Sequence, residues 1–211
     1  MDDKESLIAY WQKSGLIKDK RLLESFRDVP REKFIPEGFL GEAYGDYPLP
    51  IGDGQTISQP TTVMIMTQAL ELKQGDKVLE VGAGSGYQAA IIAKMVGKKG
   101  KVITTEIVPS LVKFAKDNLK KIGIKNVKIV GWDGSQGYEK EAPYNKIIVT
   151  AACPSIPKPL IEQLKDNGII IAPVGATFGQ RMIKGIKRKG ALEKKSLGSF
   201  MFVPLKGKYG Y

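Results

Sequence analysis

The stretch KVLEVGAGSGYQAAIIAKMVG, residues 77–97, decides how this chain is read. A short apolar run meets three glycines at every second position, Gly82, Gly84 and Gly86, and a helical pattern follows. A strand that bends at glycines into a helix presents free backbone N–H groups, and such bends receive nucleotide-like ligands. The glycines admit two counts. Gly84, Gly86 and Ala89 satisfy the dinucleotide spacing G-x-G-x-x-[G/A], whereas Glu80, Gly82, Gly84 and Gly86 read as E-x-G-x-G-x-G.

Outward from that bend, short apolar runs alternate with helical patterns. Strands are predicted at 77–81, 101–106, 127–131, 146–150 and 169–174, with helices at 87–96, 109–122 and 157–166. Pro109 suits a helix start, and Gly97, Gly123 and Gly168 suit positions just past helix ends. Upstream, residues 6–27 read as helical, with Leu7, Tyr10, Trp11, Leu22, Leu23 and Phe26 at three- and four-residue spacing. Pro30 and Pro36 break that pattern, and 37–60, rich in Gly, Pro and Tyr, reads as an irregular cover over a site. A helix over 60–72 follows, with Val63, Met66 and Leu70 on one side and Gly75 as its stop. The tail, 181–205, lacks a helical period and reads as a β-hairpin-like addition.

Strand–helix alternation implies a doubly wound α/β fold, a mostly parallel seven-stranded sheet with helices on both faces. The whole chain is expected to form one domain: a helical extension and cover over 1–60, a cofactor-binding core over 61–175 and C-terminal strands over 176–211.

Composition narrows the chemistry. With 211 residues, 42% of them hydrophobic, the chain can bury one sizeable core. Its single cysteine excludes an intramolecular disulfide, and with no histidine, imidazole catalysis and histidine metal sites are excluded; no metal is expected. No run approaches the roughly 18 apolar residues of a membrane span. The start, MDDKESLIAYWQKSG, is acidic and polar, unlike a targeting peptide. A cytoplasmic monomer without a membrane partner is the expectation. The net charge of +11 favours anionic partners, but the basic residues are spread along the chain. Its densest basic run, KGIKRKG at 184–190, has no aromatic residue on which a base could stack, so no nucleic-acid partner is expected.

Ligands of such sheets lie beyond the carboxyl ends of the strands, where Glu80, Glu106, Asp133 and the segment Thr150-Ala151-Ala152-Cys153 stand in order. Glu106 follows Gly86 by 20 residues, the place of an acid that bonds a ribose diol, which any adenosine cofactor carries. Glu80 discriminates. A carboxylate beside a pyrophosphate is repelled, by about 1 kcal/mol even at water-like screening. A cofactor carrying a sulfonium and an ammonium group, and no phosphate, is attracted instead; S-adenosylmethionine is such a molecule. Asp133, in WDGSQGY, either accepts from an adenine amino group or belongs to a plain Asp-Gly turn.

Taken together, these pieces resemble the class I methyltransferase fold, and within it the protein-L-isoaspartate O-methyltransferase family. The resemblance is carried by GQTISQPTTV, VLEVGAGSGYQAA, EIVPSLVKFAKDNL, WDGSQGY, APYNKIIVTAACPSIPKPLIEQL and FVPL, in the family's order across about 51–205. It implies Ser58 as the catalytic residue and Thr56, Ile57 and Ser58 lining the cleft. It also implies Glu80, Gly82, Gly84, Ser85 and Gly86 against S-adenosyl-L-methionine, Glu106 with Ile107 at the ribose, and Asp133 with Gly134 beside the adenine. S-adenosyl-L-homocysteine is then the product, and isoaspartyl-containing proteins and peptides the substrates. Some members carry histidines after the serine motif where this chain has QPTTVM, which marks it as one of a subgroup. Cys153 stands where members commonly have Ala or Gly and reads as a small buried residue. Other readings stay open: Ser58, two residues before Pro60, as a helix cap; an RNA or small-molecule methyltransferase on the same fold; a dehydrogenase, which Glu80 disfavours; and a module that binds the cofactor without turnover.

Overall fold

The computed structural model describes residues 3–176 and 179–211; Met1 and Asp2 of the acidic start, and Thr177 and Phe178, lie outside them. The predicted helical stretch over 6–27 is two helices, α1 (Lys4–Ser14) and α2 (Lys20–Asp28). Asp3 caps α1 by accepting from Ser6 N, and Gly15 ends it in a left-handed conformation at φ 68°. Asp19 starts α2 by accepting from Arg21 N. Leu7, Trp11, Leu22, Leu23 and Phe26 are buried along the inner faces, as the helical spacing implies, whereas Tyr10 is exposed and Ile8 is buried in its stead.

The segment read as irregular is more ordered than expected. After two short 3-10 turns, Arg31–Phe34 and Glu37–Glu42, it forms a hairpin of β1 (Leu49–Gly52) and β2 (Gln55–Ile57). Leu49 faces Ile57 across it, and the turn Asp53-Gly54 holds both residues at positive φ. Asp-Gly between residues of alternating burial is a hairpin signal. The following helix, α3 (Pro60–Ala69), stops short of Leu72; Glu71 has already turned to φ 53°.

The remaining elements run β3 (Lys77–Val81), α4 (Tyr87–Val96), β4 (Lys101–Glu106), α5 (Pro109–Lys121), β5 (Val127–Gly131), β6 (Tyr144–Val149), α6 (Lys158–Gln163), β7 (Leu164–Gly175), β8 (Gln180–Arg188) and β9 (Ala191–Phe200). The last seven strands form one sheet in the order β5-β4-β3-β6-β7-β8-β9. Its pairings are parallel from β5 to β7 and antiparallel at β7–β8 and β8–β9. α6 is shorter than predicted because Leu164 already pairs with Tyr144 of β6, and Lys187 Nζ on β8 takes the carbonyls of Ile161, Glu162 and Leu164.

Both faces of the sheet are covered. Val78, Val102, Ile148 and Ile171 share a core with residues of α1 to α5, while Leu79, Ile103, Ile147 and Ile170 pack with Leu160 of α6 and Leu205 of the tail. This explains why the parallel strands read as near-continuous apolar runs. Among the described residues no helix is long and apolar enough to cross a membrane. From β3 the chain winds through β4 to β5 on one side and resumes at β6 on the other. The crevice at that reversal is where ligands bind in open α/β sheets. The tail reaches it: past the β8–β9 hairpin, Leu205 N donates to Ala152 O at 2.7 Å and Ala152 N to Val203 O at 2.8 Å.

Candidate active site

The glycine bend leaves β3 at Gly82, Gly84 and Gly86, all at positive φ (95°, 53° and 87°). At Gly82 a Cβ would also lie 2.5 Å from Thr150 Oγ1, whose hydroxyl contacts the carbonyls of Val81 and Gly82. Glu106, at the end of β4, secures the bend: its carboxylate accepts from Gly84 N at 2.8 Å and from Val108 N at 3.0 Å. Each oxygen keeps a lone pair for a further donor.

The bend floors a cleft of about 860 Å³, counting its open mouth. Ten of the twelve residues that the family resemblance implies line it, Thr56, Ile57, Ser58, Glu80, Gly82, Gly84, Ser85, Glu106, Ile107 and Gly134, as do Thr150 and Ala151 of the strand-end segment. Gly86 and Asp133 stand outside the lining. Gly86 is the residue before α4, where a Cβ would crowd Ala115 and Leu119 of α5, so its small size serves packing. The Asp133 carboxylate accepts from Ser135 N and Oγ, Gln136 Nε2 and Lys208 N, which ties the tail down beside the cleft. Burial works to raise its pKa, but these hydrogen bonds win and hold it below the usual aspartate value. Its neighbours Trp132 and Gly134 line the cleft on either side of it.

Sequence reasoning did not single out Trp132, Gln88 or the tail residues Val203–Lys206 as lining residues. Trp132 follows β5 immediately, so the strand-end rule points to it. Its own residues do not show that the tail lines the cleft, because partners distant in sequence, Ala152, Asp133 and Ser135, bring it there.

Glu80 is fully buried; the Thr104 hydroxyl lies beside its carboxylate, but no hydrogen bond of good geometry reaches either oxygen among the described residues. Burial, tempered by the Thr104 hydroxyl and reinforced by the Glu106 charge, pushes its pKa to about 8. Burial thus works against the anion expected at this position and favours its protonated form. An orphaned buried acid, a second acid at Glu106 and a backbone open to close approach suit a cationic adenosyl ligand. They do not suit a pyrophosphate, for which Gly84 N is already taken.

Ser58 follows β2 and is half-buried. The capping role weighed for it is not realised: Asp46 accepts from Thr61 N at 2.9 Å at the start of α3, and the Ser58 hydroxyl has no partner among the described residues. It lies where the cofactor cleft meets an outer groove, since both hollows share Thr56, Ser58, Thr150, Val203 and Pro204. Cys153 is buried, its Sγ 3.4 Å from Pro173 O, and burial pushes its thiol up to about 12; it packs, as expected, and is unreactive.

Comparison with known proteins agrees with this geometry. The family described as Protein-L-isoaspartate(D-aspartate) O-methyltransferase (PCMT) matches residues 2–210. Protein-L-isoaspartate O-methyltransferase 2 of Archaeoglobus fulgidus is 51% identical over 210 residues, covering 100% of this chain and 96% of that protein. A solved protein-L-isoaspartate O-methyltransferase superposes with a TM-score of 0.88 at 30% identity, covering 99% of this chain and 67% of its own. A second, from Plasmodium falciparum and in complex with S-adenosyl-L-homocysteine, superposes at 0.86 with 29% identity, covering 98% of this chain and 99% of its own. With its bend, its paired acids and its free serine between two hollows, the chain belongs to the protein-L-isoaspartate O-methyltransferase family.

Proposed function

We propose that this protein transfers a methyl group from S-adenosyl-L-methionine to the free α-carboxylate of L-isoaspartyl residues in damaged proteins and peptides. The observation that carries this reading is the unpartnered Ser58 hydroxyl at the junction of the cofactor cleft and the outer groove. The cofactor, when bound, supplies an electrophilic methyl group on a positively charged sulfur. Everything else falls to the chain. Glu106, held by two backbone N–H groups, offers its remaining lone pairs to vicinal hydroxyls. Trp132 and Gly134 would hold the adenine end, and Gly82 and Gly84, lacking a Cβ, would let the backbone approach closely, with Ser85 beside them in the lining. Thr56 and Ile57 wall the cleft from β2. Ser58 donates its hydroxyl to the incoming carboxylate and turns one oxygen toward the methyl carbon.

An α-carboxylate has a pKa of about 3.5 and is ionised at neutral pH, so attack needs no base. The lack of histidine is then no obstacle. Proximity and in-line alignment alone account for about 7–11 kcal/mol of barrier lowering in well-oriented systems. Methoxide leaves the ester carbonyl far more readily than oxide leaves a carboxylate; the neighbouring amide nitrogen attacks that carbonyl, the C–OCH3 bond breaks, methanol departs with the amide proton, and water then opens the resulting succinimide to give normal aspartate in part.

The rival RNA reading finds little support in the basic run of β8. Lys184 pairs with Glu71, Lys187 with three carbonyls, and Arg188 with Asn167. A monomeric, cytoplasmic protein without nucleic-acid partners belongs to the same proposal. The test is to incubate the protein with methyl-labelled cofactor and paired peptides differing only in isoaspartate against aspartate. Base-labile label is expected on the isoaspartyl peptide alone; equal label on both, or label on RNA instead, overturns the proposal.

A further inference from the structure

The outer groove, a hollow of about 970 Å³ counting its open mouth, divides by chemistry. One part carries hydroxyls and an amide: Thr56, Ser58, Gln59 and Thr62, of β2, the start of α3 and the link between them. Thr62 Oγ1 donates to Gln59 Oε1 at 3.2 Å, while Gln59 Nε2, like the Ser58 hydroxyl, has no partner among the described residues. The other part is apolar: Pro48 of the cover, and Met201, Phe202, Val203 and Pro204 of the tail. No residue lining the groove is ionisable. The tail is held from behind, since Phe202 N donates to Gln180 Oε1 at 2.8 Å and Val203 O accepts from Ala152 N. Met201 is nevertheless 77% exposed, and Pro48 and Pro204 are exposed too. Apolar side chains exposed singly need no explanation, but several around one hollow mark a surface that something covers.

We infer that this groove selects isoaspartyl sites with an apolar neighbour, whose side chain seats on Met201 and Phe202 while the isoaspartyl carboxylate meets Ser58. The inference rests on the substrate reading above and adds to it the residue beside the damage. Ser58, Val203 and Pro204 border both hollows, so a peptide that brings a carboxylate to Ser58 runs past the tail. Consecutive Cα atoms stand about 3.8 Å apart in an ordinary chain, which keeps a neighbouring side chain within the same groove. An aliphatic or aromatic neighbour removes its own surface and that of Met201 from water together. The unbranched thioether of Met201 adapts to side chains of several shapes. A carboxylate in the same seat gives up water and meets no cation in the lining, which is costly. Serine or glycine there gains little. Selection of this kind grades substrates by polarity and does not read a sequence.

The test is a series of isoaspartyl peptides, identical except for leucine, serine or glutamate placed directly before or directly after the isoaspartate. Each is assayed for base-labile methyl label over a range of concentrations. At one of the two positions the leucine peptide should exceed the serine peptide about tenfold in kcat/KM, with the difference carried by KM and glutamate below serine. In Met201→Ser the leucine-to-serine ratio should fall toward one, with affinity for S-adenosylhomocysteine, read by calorimetry, near wild type. Equal kcat/KM for all three neighbours at both positions overturns the inference and leaves the methyl-transfer proposal standing; this wild-type series decides even if the variant fails to fold. A leucine preference that survives Met201→Ser also overturns it. So does a wild type that sediments as a dimer and turns monomeric in Met201→Ser, which assigns the apolar patch to self-association. Absence of label on every isoaspartyl peptide overturns the function proposed above, and the inference with it.

Discussion

A side-chain hydroxyl with no partner, placed where two hollows meet, is available to a substrate in a way that a capping hydroxyl is not. Ser58 is in that position because Asp46 relieves it of the start of α3. Ser58→Ala should therefore cost catalysis rather than folding. Loss of one hydrogen bond to a charged group is worth about 1.5–3 kcal/mol, so kcat/KM for an isoaspartyl peptide should fall by roughly 10- to 100-fold. Affinity for S-adenosylhomocysteine and the thermal midpoint should stay near wild type; a matching loss in either would assign Ser58 a structural role. Glycine at position 82 is an equally local matter, since φ 95° and the nearby Thr150 hydroxyl both exclude a larger residue. Both requirements belong to the immediate surroundings of one residue.

At the scale of elements, boundaries follow local chemistry where caps and turns are local and fail where partners are distant. Asp19 starts α2 with a bond of 2.9 Å from Arg21 N, so Asp19→Ala should lower stability by about 1 kcal/mol, read from denaturant unfolding. The predicted bounds of β3, β4, β5 and α4 coincide with the observed ones because apolar runs, flanking glycines and period agree over those spans. α6 and β7 meet at Leu164 for a reason absent from their own residues: Lys187, more than twenty positions away, takes the last carbonyls of the helix. The β1–β2 hairpin was readable in principle from Asp53-Gly54 and the buried Leu49 and Ile51. The Gly- and Pro-rich composition around it masked the signal.

For the whole molecule, burial of Glu80 couples folding to pH. An unfolded glutamate titrates near about 4.3, whereas Glu80 in the fold titrates at about 8. Between those values the native state holds a proton that the unfolded state has lost, so this group's contribution to stability declines as pH rises. It is full below about pH 4 and has gone above the folded value. The cofactor-free protein should lose stability from about pH 5 to 8 by this route, and Glu80→Gln should flatten the profile of thermal midpoint against pH. An unchanged slope in the variant would assign the dependence to other groups. The sequence alone determined the glycine bend, the order of strands and helices, the acids at the strand ends and the family, because these depend on periodicity and on residue types at short spacing. Only the tertiary structure decided that Glu80 is buried, that the Asp133 carboxylate ties down the tail, that the Ser58 hydroxyl has no partner among the described residues, and that Val203–Lys206 wall the cleft. The protonation state and hydrogen-bond partners of a group depend on which distant segments remove it from water, and such segments leave no trace in the residues beside it.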